Sequence, residues 1–332
     1  MREKVEEVEY IKDKKISVVI PLFNEEESIN ELYEKLSDVL KKLSADYEII
    51  FIDDGSTDSS YEKLLEIFRR DKSVIVAKLR KNVGKAWALS AGFKLASGDI
   101  VFTMDADLQD EPSEIPLFLK KLNEGYDLVS GWKKRRNDPL TKVIPSRIFN
   151  WFVSFITGIK LHDFNCGFKA YRREVIDNIS IYGELHRYIP VLAERLGYKT
   201  GEVVVKHNAR KYGFSKYGIE RFTRGFLDML TVILLTRYRW KPLHFFGSIG
   251  LLVAAAGFIT NFVLLVRHIL FLIYGVKAWE LRDRPLLSLG VLLIIVGIQF
   301  ISIGLLAEVI TVKNSKDESG ENFVKEILKR DS

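Results

Sequence analysis

The sequence predicts an α/β domain with a mostly parallel β-sheet, followed by two membrane-spanning helices. Two observations lead to this prediction. Apolar, β-branched runs alternate with segments of helical periodicity from residue 16 to residue 104, as in chains that wind strands and helices into a parallel sheet. Two uncharged apolar runs, Phe245–Val266 and Leu286–Ala307, hold 22 residues each. At ~1.5 Å per residue, each run is long enough to cross a bilayer core of ~30 Å.

The predicted strands are short runs rich in Val, Ile and Phe. This composition is expected of strands that are buried on both faces of a sheet. Glycine, proline and polar residues separate the runs and mark the turns. The predicted strands are Ile16–Leu22, Tyr47–Ile52, Val74–Leu79, residues 100–104, Asp127–Gly131 and Glu202–Lys206.

Helical periodicity fills the intervals between the strands. Asn24 is predicted to cap the helix whose apolar residues repeat from Ile29 to Leu43. Gly55 permits a tight turn, and Ser56 or Thr57 is predicted to cap the helix that follows. Further helices are predicted at about 58–70, 84–96, from Pro112 onward, and at 145–155.

A last amphipathic segment precedes the first apolar run. Its apolar residues form one helical face from Tyr217 to Leu235, which predicts a helix lying along the membrane surface. An ordinary core helix is the alternative. The predicted organisation is an α/β domain at 1–216, a juxtamembrane helix at 217–242, membrane helices within 243–312 (about 243–270 and 286–310), and a charged tail at 313–332.

Composition bounds the class of protein and its compartment. The 332 residues carry a formal net charge of +6, which suits a protein lying against anionic lipid. No basic helix or aromatic-basic sheet motif accompanies this charge, so nucleic acid is not expected as a partner. Cys166 is the only cysteine, so an intrachain disulfide is impossible and a reducing compartment fits.

Charge placement predicts how the chain crosses the membrane. Residues 1–15 are charged and lack the apolar core of a signal peptide. Basic residues flank the two apolar runs on their outer sides, before the first run and in the tail. Because cytoplasmic segments are enriched in Lys and Arg, we expect a multi-pass cell-membrane protein with the α/β domain and both termini in the cytoplasm.

The most informative stretch is the acidic turn that follows the strand at 100–104. Asp105 and Asp107 are two residues apart, with small Ala106 between them, and Gln109 adds an amide oxygen. A Mg²⁺ or Mn²⁺ ion held by two or three such oxygens keeps open positions for a diphosphate. The alternative is an acidic loop that caps the helix beginning near Pro112.

Two further polar clusters are predicted to share the same edge of the sheet. Phe23–Glu25, Asp53–Asp54 and Asp105–Asp107 each follow the carboxyl end of a predicted strand. Ligands of open α/β sheets bind beyond these ends. No GxGxxG motif follows the first strand, and Gly84-Lys85 is followed by alanine, so neither a dehydrogenase-type dinucleotide-binding domain nor a P-loop is expected.

Together these motifs resemble the family 2 glycosyltransferases, which have the GT-A fold. The resemblance is strongest to the polyprenyl-phosphate hexosyltransferases, which include bactoprenol glucosyltransferases and dolichyl-phosphate mannose synthases. Motif order and spacing are kept over about 16–240. The motifs are PLFNEEESI (21–29), DDGSTD (53–58), KNVGKAWALSAGF (81–93), DADLQD (105–110), SGWKKRR (130–136), PSRIFN (145–150), DFNCGFKAY (163–171) and ARKYGFSKYG (209–218).

The resemblance implies roles for particular residues. It assigns the metal and the diphosphate to the acidic turn, and it makes Asp163 a possible catalytic base beside Asp107. The nucleotide sugar would be held by Pro21, Phe23, Glu25, Ile52, Asp54, Asp105, Ala106, Asp107 and Gln109, and by Arg210 and Lys216 on a loop that closes over it. The acceptor phosphate would meet Lys133, Arg135, Arg136, Ser146 and Arg147, although the family usually has arginine where this chain has Lys133.

The implied activity is transfer of one hexose from a nucleotide sugar to polyprenyl phosphate, with inversion at the anomeric carbon. UDP-glucose is the expected donor and GDP-mannose the next candidate. A processive polysaccharide synthase is a weaker alternative, because its Gln-x-x-Arg-Trp motif is absent and Thr236 stands where glutamine is needed. A non-catalytic scaffold that binds nucleotide sugar is a weaker alternative still. Such a protein would be expected to have lost carboxylates or loop cations of the family motifs, and this chain keeps them all. The resemblance also implies a homo-oligomer, with a tetramer as one form.

Overall fold

The computed structural model describes residues 14–43, 46–134, 140–181, 185–208, 211, 238, 241–275 and 284–315. The chain divides into two compact units, Met1–Val232 and Ile233–Ser332. The predicted helix over 217–235 and most of the tail lie outside the described residues, as do Arg135, Arg136, Arg210 and Lys216.

Strands and helices alternate through the first unit. Its strands are β1 (Lys15–Leu22), β2 (Asp46–Asp53), β3 (Val74–Lys78), β4 (Ile100–Thr103), β5 (Leu128–Trp132), β6 (Lys169–Arg172) and β7 (Thr200–Val204). Its helices are α1 (Ile29–Lys42), α2 (Ser60–Arg70), α3 (Lys85–Leu95), α4 (Ile115–Asn123), α5 (Leu140–Thr157), α6 (Arg173–Asn178) and α7 (Ile189–Arg195). Short 3-10 turns precede α4 at Pro112–Glu114 and α7 at Leu185–Tyr188.

The strands form one sheet in the order β3-β2-β1-β4-β6-β5-β7. Four neighbouring pairs are parallel, and β6 runs antiparallel to both β4 and β5. This confirms the predicted α/β fold with a mostly parallel sheet. Parallel β1, β2 and β4 carry their carboxyl ends to one edge, where the polar clusters of the sequence were expected.

The core lies on both faces of this sheet. Alternate residues of β1, such as Ile16 and Val18, join a buried cluster with the apolar face of α1. On the opposite face Val19 packs against Gly92 of α3, where an added Cβ would lie 2.2 Å from the valine side chain. A larger residue at position 92 would push α3 away from the sheet, so this helix depends on glycine for its close approach.

The helix caps predicted near the site are not formed as expected. Asn24 does not cap α1, which begins five residues beyond it, at Ile29. Asn24 instead has φ 53° and exchanges hydrogen bonds with Thr57. Neither Ser56 nor Thr57 caps α2; its first N–H group, that of Ser60, is bound by the Asp58 carboxylate at 3.0 Å. Both predicted caps are therefore wrong, because their side chains serve contacts between two loops.

The second unit contains α8 (Pro242–Tyr274) and α9 (Arg284–Ser315). They pack closely at glycines: a Cβ added to Gly250 would lie 2.5 Å from the carbonyl oxygen of Gly297, and one added to Gly257 equally close to that of Gly290. Glu308 of α9 accepts a hydrogen bond from the Leu243 N–H at 3.1 Å. Both helices are long and apolar enough to cross a membrane, and most of their apolar residues are not buried inside the protein.

Candidate active site

Two loops at the sheet edge are bound to each other, and this fixes the first part of the site. The Asn24 N–H donates to Ser56 Oγ at 2.9 Å, and the Glu25 N–H donates to Ser60 Oγ at 2.9 Å. The Thr57 N–H donates back to Asn24 Oδ1 at 2.8 Å. The loop after β1 therefore has a defined shape before any ligand binds.

Asp54 connects these loops to the start of α3. Its backbone N–H donates to the Leu22 carbonyl at 2.8 Å. Its two carboxylate oxygens accept hydrogen bonds from the N–H groups of Val83 and Gly84, at 2.8 and 2.9 Å. Burial raises the pKa of Asp54, as does the neighbouring Asp53, although the two N–H groups oppose the rise. The carboxylate of Asp54 thus fixes the N-terminus of α3.

The other residues predicted to hold the nucleoside differ in how they can reach a ligand. Pro21 and Ile52 are partners in the β1–β2 register. The Ile52 side chain is fully buried and lies beside Gly92 of α3, so this residue can offer a ligand only its backbone. Phe23 and Glu25 are half-buried at the open edge, where side-chain contacts with a nucleoside are possible.

The acidic turn after β4 is tightly folded. Ala106 and Asp107 are buried, and the Gln109 N–H donates to Asp107 Oδ1 at 3.2 Å. Leu108 has φ 60°, a left-handed conformation that costs a leucine about 1–3 kcal/mol. Such strain at a turn that carries two carboxylates is characteristic of functional sites, where the surrounding fold maintains a fixed geometry.

Asp105 lies between a lysine and a glycine. The ammonium group of Lys85, the first residue of α3, forms an ion pair with Asp105 Oδ1. On another side the carboxylate lies against Gly167, where an added Cβ would come within 2.4 Å of Oδ2. Burial alone would raise the pKa of Asp105; the charges of Lys85, Lys133 and Lys169 outweigh it and lower this pKa to about 2. Asp105 is therefore ionised at neutral pH.

The oxygen ligands of this turn suit a divalent cation whose remaining coordination positions are filled by a bound substrate. The groups available are carboxylate and amide oxygens, which Mg²⁺ and Mn²⁺ prefer. Among the described residues, no three His, Cys, Asp or Glu side chains converge into a closed metal site. The absence of a side chain at Gly167 leaves room for the Asp105 carboxylate. An open site with two carboxylates suits a cation that also binds a diphosphate.

Asp110, at the end of the same turn, forms a buried ion pair. Its side chain is fully buried, and its Oδ1 lies 2.8 Å from the Lys133 ammonium nitrogen. The backbone beside it forms a bridge to His207, and Gln109 accepts the Asn208 N–H at 3.0 Å. These contacts attach the acidic turn to β5, which Lys133 follows, and to the segment after β7.

Beside Lys133 the protein has a groove of about 790 Å³ that combines cations with aromatic rings. The Trp132 ring stacks on His162, with centroids 3.9 Å apart and planes 12° from parallel. His162 in turn contacts the Glu202 carboxylate. The groove is lined by Trp132, Lys133, Lys134, Arg147, Asn150, Trp151, Ser154, Lys160, Leu161 and His162. Lys133 and Arg147, predicted to bind phosphate, are thus brought together, whereas Ser146 is not among the lining residues.

Asp163 follows His162 directly and is 1% exposed. Its Oδ1 accepts a hydrogen bond from the Asn165 N–H at 3.1 Å, and its carbonyl accepts one from Ser130 Oγ at 3.3 Å. The loop carrying Asp163 is therefore anchored to β5. Its neighbour His162 lines the groove, but Asp163 itself is not among the lining residues.

Several residues near the site had no role predicted from the sequence. Lys85 and Lys169 lie within the quoted motifs but had been given no role. Burial lowers the pKa of Lys169, whose ammonium donates to the Cys166 carbonyl. Burial likewise lowers the pKa of His186 well below its ordinary value, and raises that of the Cys166 thiol to about 12. Cys166 is thus a neutral core residue.

Comparison with known proteins identifies the family. Residues 17–180 match Glycosyl transferase family 2. The chain is 37% identical over 314 residues to the dodecaprenyl-phosphate galacturonate synthase of Rhizobium johnstonii, covering 93% of this chain and 91% of the relative. It is 37% identical over 297 residues to the undecaprenyl-phosphate 4-deoxy-4-formamido-L-arabinose transferase of Proteus mirabilis, covering 89% and 88%.

Solved structures show the same fold. Glucosyl-3-phosphoglycerate synthase from Mycobacterium tuberculosis, in complex with Mn²⁺, UDP and phosphoglyceric acid, matches with a TM-score of 0.55 and 22% identity over 70% of this chain and 82% of that one. Its complex with Mn²⁺ and UDP-glucose matches with a TM-score of 0.53 and 21% identity over the same shares. The first unit has a GT-A-like α/β fold, as predicted, and the chain is a glycosyltransferase that belongs to family 2.

Proposed function

We propose that this glycosyltransferase moves one sugar from a nucleotide sugar to a polyprenyl phosphate, with inversion at the anomeric carbon. One observation carries the proposal: Lys133 touches the acidic turn through Asp110 and lines the cationic, aromatic groove. An acidic edge for a metal-bound diphosphate therefore adjoins a groove whose composition suits an anionic, apolar acceptor. The relatives named above act on polyprenyl phosphates, which agrees with this assignment.

The donor half is assigned to the sheet edge. Asp105 and Asp107, with Gln109, would hold a Mg²⁺ or Mn²⁺ ion, which when bound neutralises charge on the leaving diphosphate. The nucleoside would lie against Phe23 and Glu25. Arg210 and Lys216, which the family resemblance assigns to the diphosphate, would add positive charge there. The ordered loop after β1 gives the nucleoside a preformed surface, which reduces the entropy cost of binding.

The acceptor half is assigned to the groove. A phosphate monoester has a second pKa near ~6, by analogy with phosphorylated side chains, so it is mostly a dianion at neutral pH. Lys133, Arg147 and Lys160 would bind its oxygens by charge-assisted hydrogen bonds. Trp132, Trp151 and Leu161 would contact the first isoprene units of the chain.

Asp163 would act by orientation more than by proton removal. The acceptor dianion is already a nucleophile and has no proton to lose. The Asp163 carboxylate, which follows the groove residue His162 in the chain, would instead hold a sugar hydroxyl or a basic side chain during attack. An interaction of this kind contributes most in the transition state and so raises kcat.

The names of the relatives change which sugar we expect the enzyme to transfer. They are named for galacturonate and for 4-deoxy-4-formamido-L-arabinose, so they give no support to glucose from UDP-glucose or to mannose from GDP-mannose. Nor do they support hexose as a general class, because arabinose is a pentose. We take galacturonate and 4-amino-arabinose derivatives as the sugars to test first.

Orientation in the membrane and assembly complete the proposal. The α/β domain and both termini would face the cytoplasm, and the chain would form homo-oligomers, with a tetramer as one form. With Cys166 replaced, single cysteines at Ser319 and Ala278 would report the sidedness of the tail and of the loop between the spans. Labelling of the tail from outside intact cells, with the loop protected, would contradict this orientation.

An acceptor panel tests the proposed reaction. Purified full-length protein is given a radiolabelled nucleotide sugar with undecaprenyl phosphate, undecaprenol or 3-phosphoglycerate. We expect label in the organic phase with undecaprenyl phosphate only. Undecaprenol lacks the phosphate, and 3-phosphoglycerate lacks the apolar chain. Transfer to 3-phosphoglycerate, with none to the lipid, would show that the groove serves a soluble acceptor.

A further inference from the structure

The ammonium group of Lys85 contacts Oδ1 of Asp105, the first carboxylate of the acidic turn. The two side chains are 27% and 31% exposed, so water and ligands can reach the pair. A lysine therefore sits on an oxygen that the proposed function gives to a divalent cation.

The position of Lys85 is fixed from behind. It is the first residue of α3, and the two residues before it, Val83 and Gly84, donate their N–H groups to the Asp54 carboxylate. Gly84 has φ 96°, a conformation that glycine adopts without strain and that sets the direction in which α3 begins. The backbone of Lys85 thus has little freedom, while its four-carbon side chain can still rotate.

The space around the Asp105 carboxylate limits how far it can move away from Lys85. Gly167 lies against its carboxylate so closely that an added Cβ would be 2.4 to 2.6 Å from Oδ2, Cγ and Oδ1. Gly167 therefore packs directly against the carboxylate, which has little free space on that side. A cation that approaches Asp105 must share its oxygens with Lys85 or displace it.

We propose that Lys85 exchanges partners during donor binding. Without donor, its ammonium group holds Asp105 and competes with a divalent cation. When a nucleoside diphosphate arrives with the cation, Lys85 leaves Asp105 and binds a phosphate oxygen. This inference rests on the proposed metal site at Asp105 and Asp107.

The exchange makes the binding of metal and nucleotide cooperative. A cation alone must remove Lys85 from Asp105 and leaves the ammonium group without its carboxylate. A cation with a diphosphate offers Lys85 a new anionic partner, so the loss is compensated. By reciprocity, the factor by which UDP tightens metal binding equals the factor by which the metal tightens UDP binding.

Binding of Mn²⁺ alone, followed by electron paramagnetic resonance of the free ion, tests the inference on the full chain in detergent. Lys85→Met should bind Mn²⁺ about two- to fivefold more tightly than the natural protein, the range that a partly exposed ion pair is worth. The gain in Mn²⁺ affinity on adding UDP should shrink in this variant. Lys85→Arg, which keeps the charge, should resemble the natural protein in Mn²⁺ binding.

Two control variants separate the explanations. Lys78→Met removes the same charge from the same sheet edge. The Lys78 ammonium nitrogen lies 4.0 Å from Asp53 Oδ2, so its ion-pair partner is Asp53 and not Asp105. Equal tightening in both methionine variants, or no tightening in Lys85→Met, would overturn the exchange. Asp105→Asn should weaken Mn²⁺ binding strongly. If it does not, the metal site itself is wrongly assigned and the proposed function loses its donor half as well.

Discussion

The Lys133 ammonium nitrogen lies 2.8 Å from Oδ1 of Asp110, a carboxylate that is fully buried, and the same lysine lines the groove that contains Arg147. Burial alone would lower the pKa of Lys133, but the carboxylates of Asp110 and Asp105 outweigh it and raise this pKa. Lys133 therefore stays charged. The pair attaches the acidic turn to the groove, so these two parts of the candidate site share a fixed geometry.

Breaking this pair should destabilise the first unit. Lys133→Met leaves the Asp110 carboxylate buried without its partner, which costs about 3 kcal/mol and should lower the Tm by about 6–12 °C. Lys134→Met is the matched control, because Lys134 is exposed and its ammonium nitrogen lies 5.3 Å from the centre of the Trp132 ring. Thermal unfolding of both variants measures the difference. Equal Tm values for the two would show that the Lys133–Asp110 pair contributes nothing.

Arg147 should act on the acceptor alone. Arg147→Ala removes a charged hydrogen-bond donor from the groove, which should raise the apparent KM for polyprenyl phosphate about tenfold or more. Binding of the nucleotide sugar should stay nearly unchanged, because the groove is not part of the donor edge. Lys121→Ala serves as a control, since Lys121 pairs with Glu124 on the surface. Weaker donor binding with normal acceptor KM would move Arg147 to the diphosphate.

Asp163 should matter most after both substrates are bound. Asp163→Asn keeps the side-chain shape and removes the charge, so kcat should fall by more than either KM changes. Steady-state kinetics with each substrate varied in turn provides the measurement. A change confined to the KM of the acceptor would make Asp163 a binding residue instead of one that acts in the transition state.

Buried Glu48, at the opposite end of the sheet, should make the stability of the protein depend on pH. Buried Glu48 binds Lys15 Nζ at 2.7 Å, Ser17 Oγ at 2.6 Å, and both the N–H and hydroxyl groups of Ser97. Burial by itself would raise the pKa of Glu48, but these contacts outweigh it and lower the pKa. The unfolded chain, with a glutamate pKa of ~4.3, therefore binds more protons in acid. Stability from this group is fully present above about pH 5 and declines as the pH falls through the lower folded value.

Glu48→Gln tests this dependence. The variant should be less stable than the natural protein at pH 7, and its Tm should fall less steeply between pH 5 and pH 3. Glu124→Gln, at a surface pair with Lys121, is the control and should keep the natural profile. An unchanged acid slope in Glu48→Gln would show that other carboxylates govern the acid sensitivity.

The sequence predicted six of the strands to within two residues at either end, because apolar and β-branched runs between turn residues mark them. This holds even for β3 and β7, which are only partly buried. β6 was missed because its residues, Lys169 to Arg172, begin and end with a cation. Lys169 is nonetheless 3% exposed. Its burial depends on the Cys166 carbonyl and on carboxylates elsewhere in the chain, which no local pattern reveals.

The candidate site was predictable where chemistry is local and unpredictable where it depends on contacts between distant segments. Asp105 and Asp107 stand out because carboxylates two residues apart follow a buried strand. The partner of Asp105 is Lys85, 20 residues away, and the partner of Trp132 is His162, 30 residues away. Asn24 carries the signal of a helix cap but bonds Thr57, since a nearby loop offered its side chain a different partner.

The most direct test of the proposed reaction is the mass of the lipid product. Full-length protein, undecaprenyl phosphate, Mn²⁺ and a nucleotide sugar such as UDP-galacturonate are incubated, and the lipid is analysed by mass spectrometry. We expect one sugar per lipid phosphate, loss of product in EDTA, recovery on restoring Mn²⁺, and almost no product with Asp107→Asn. Undiminished product in EDTA, several sugars on one lipid, or full activity in Asp107→Asn would contradict the proposed reaction.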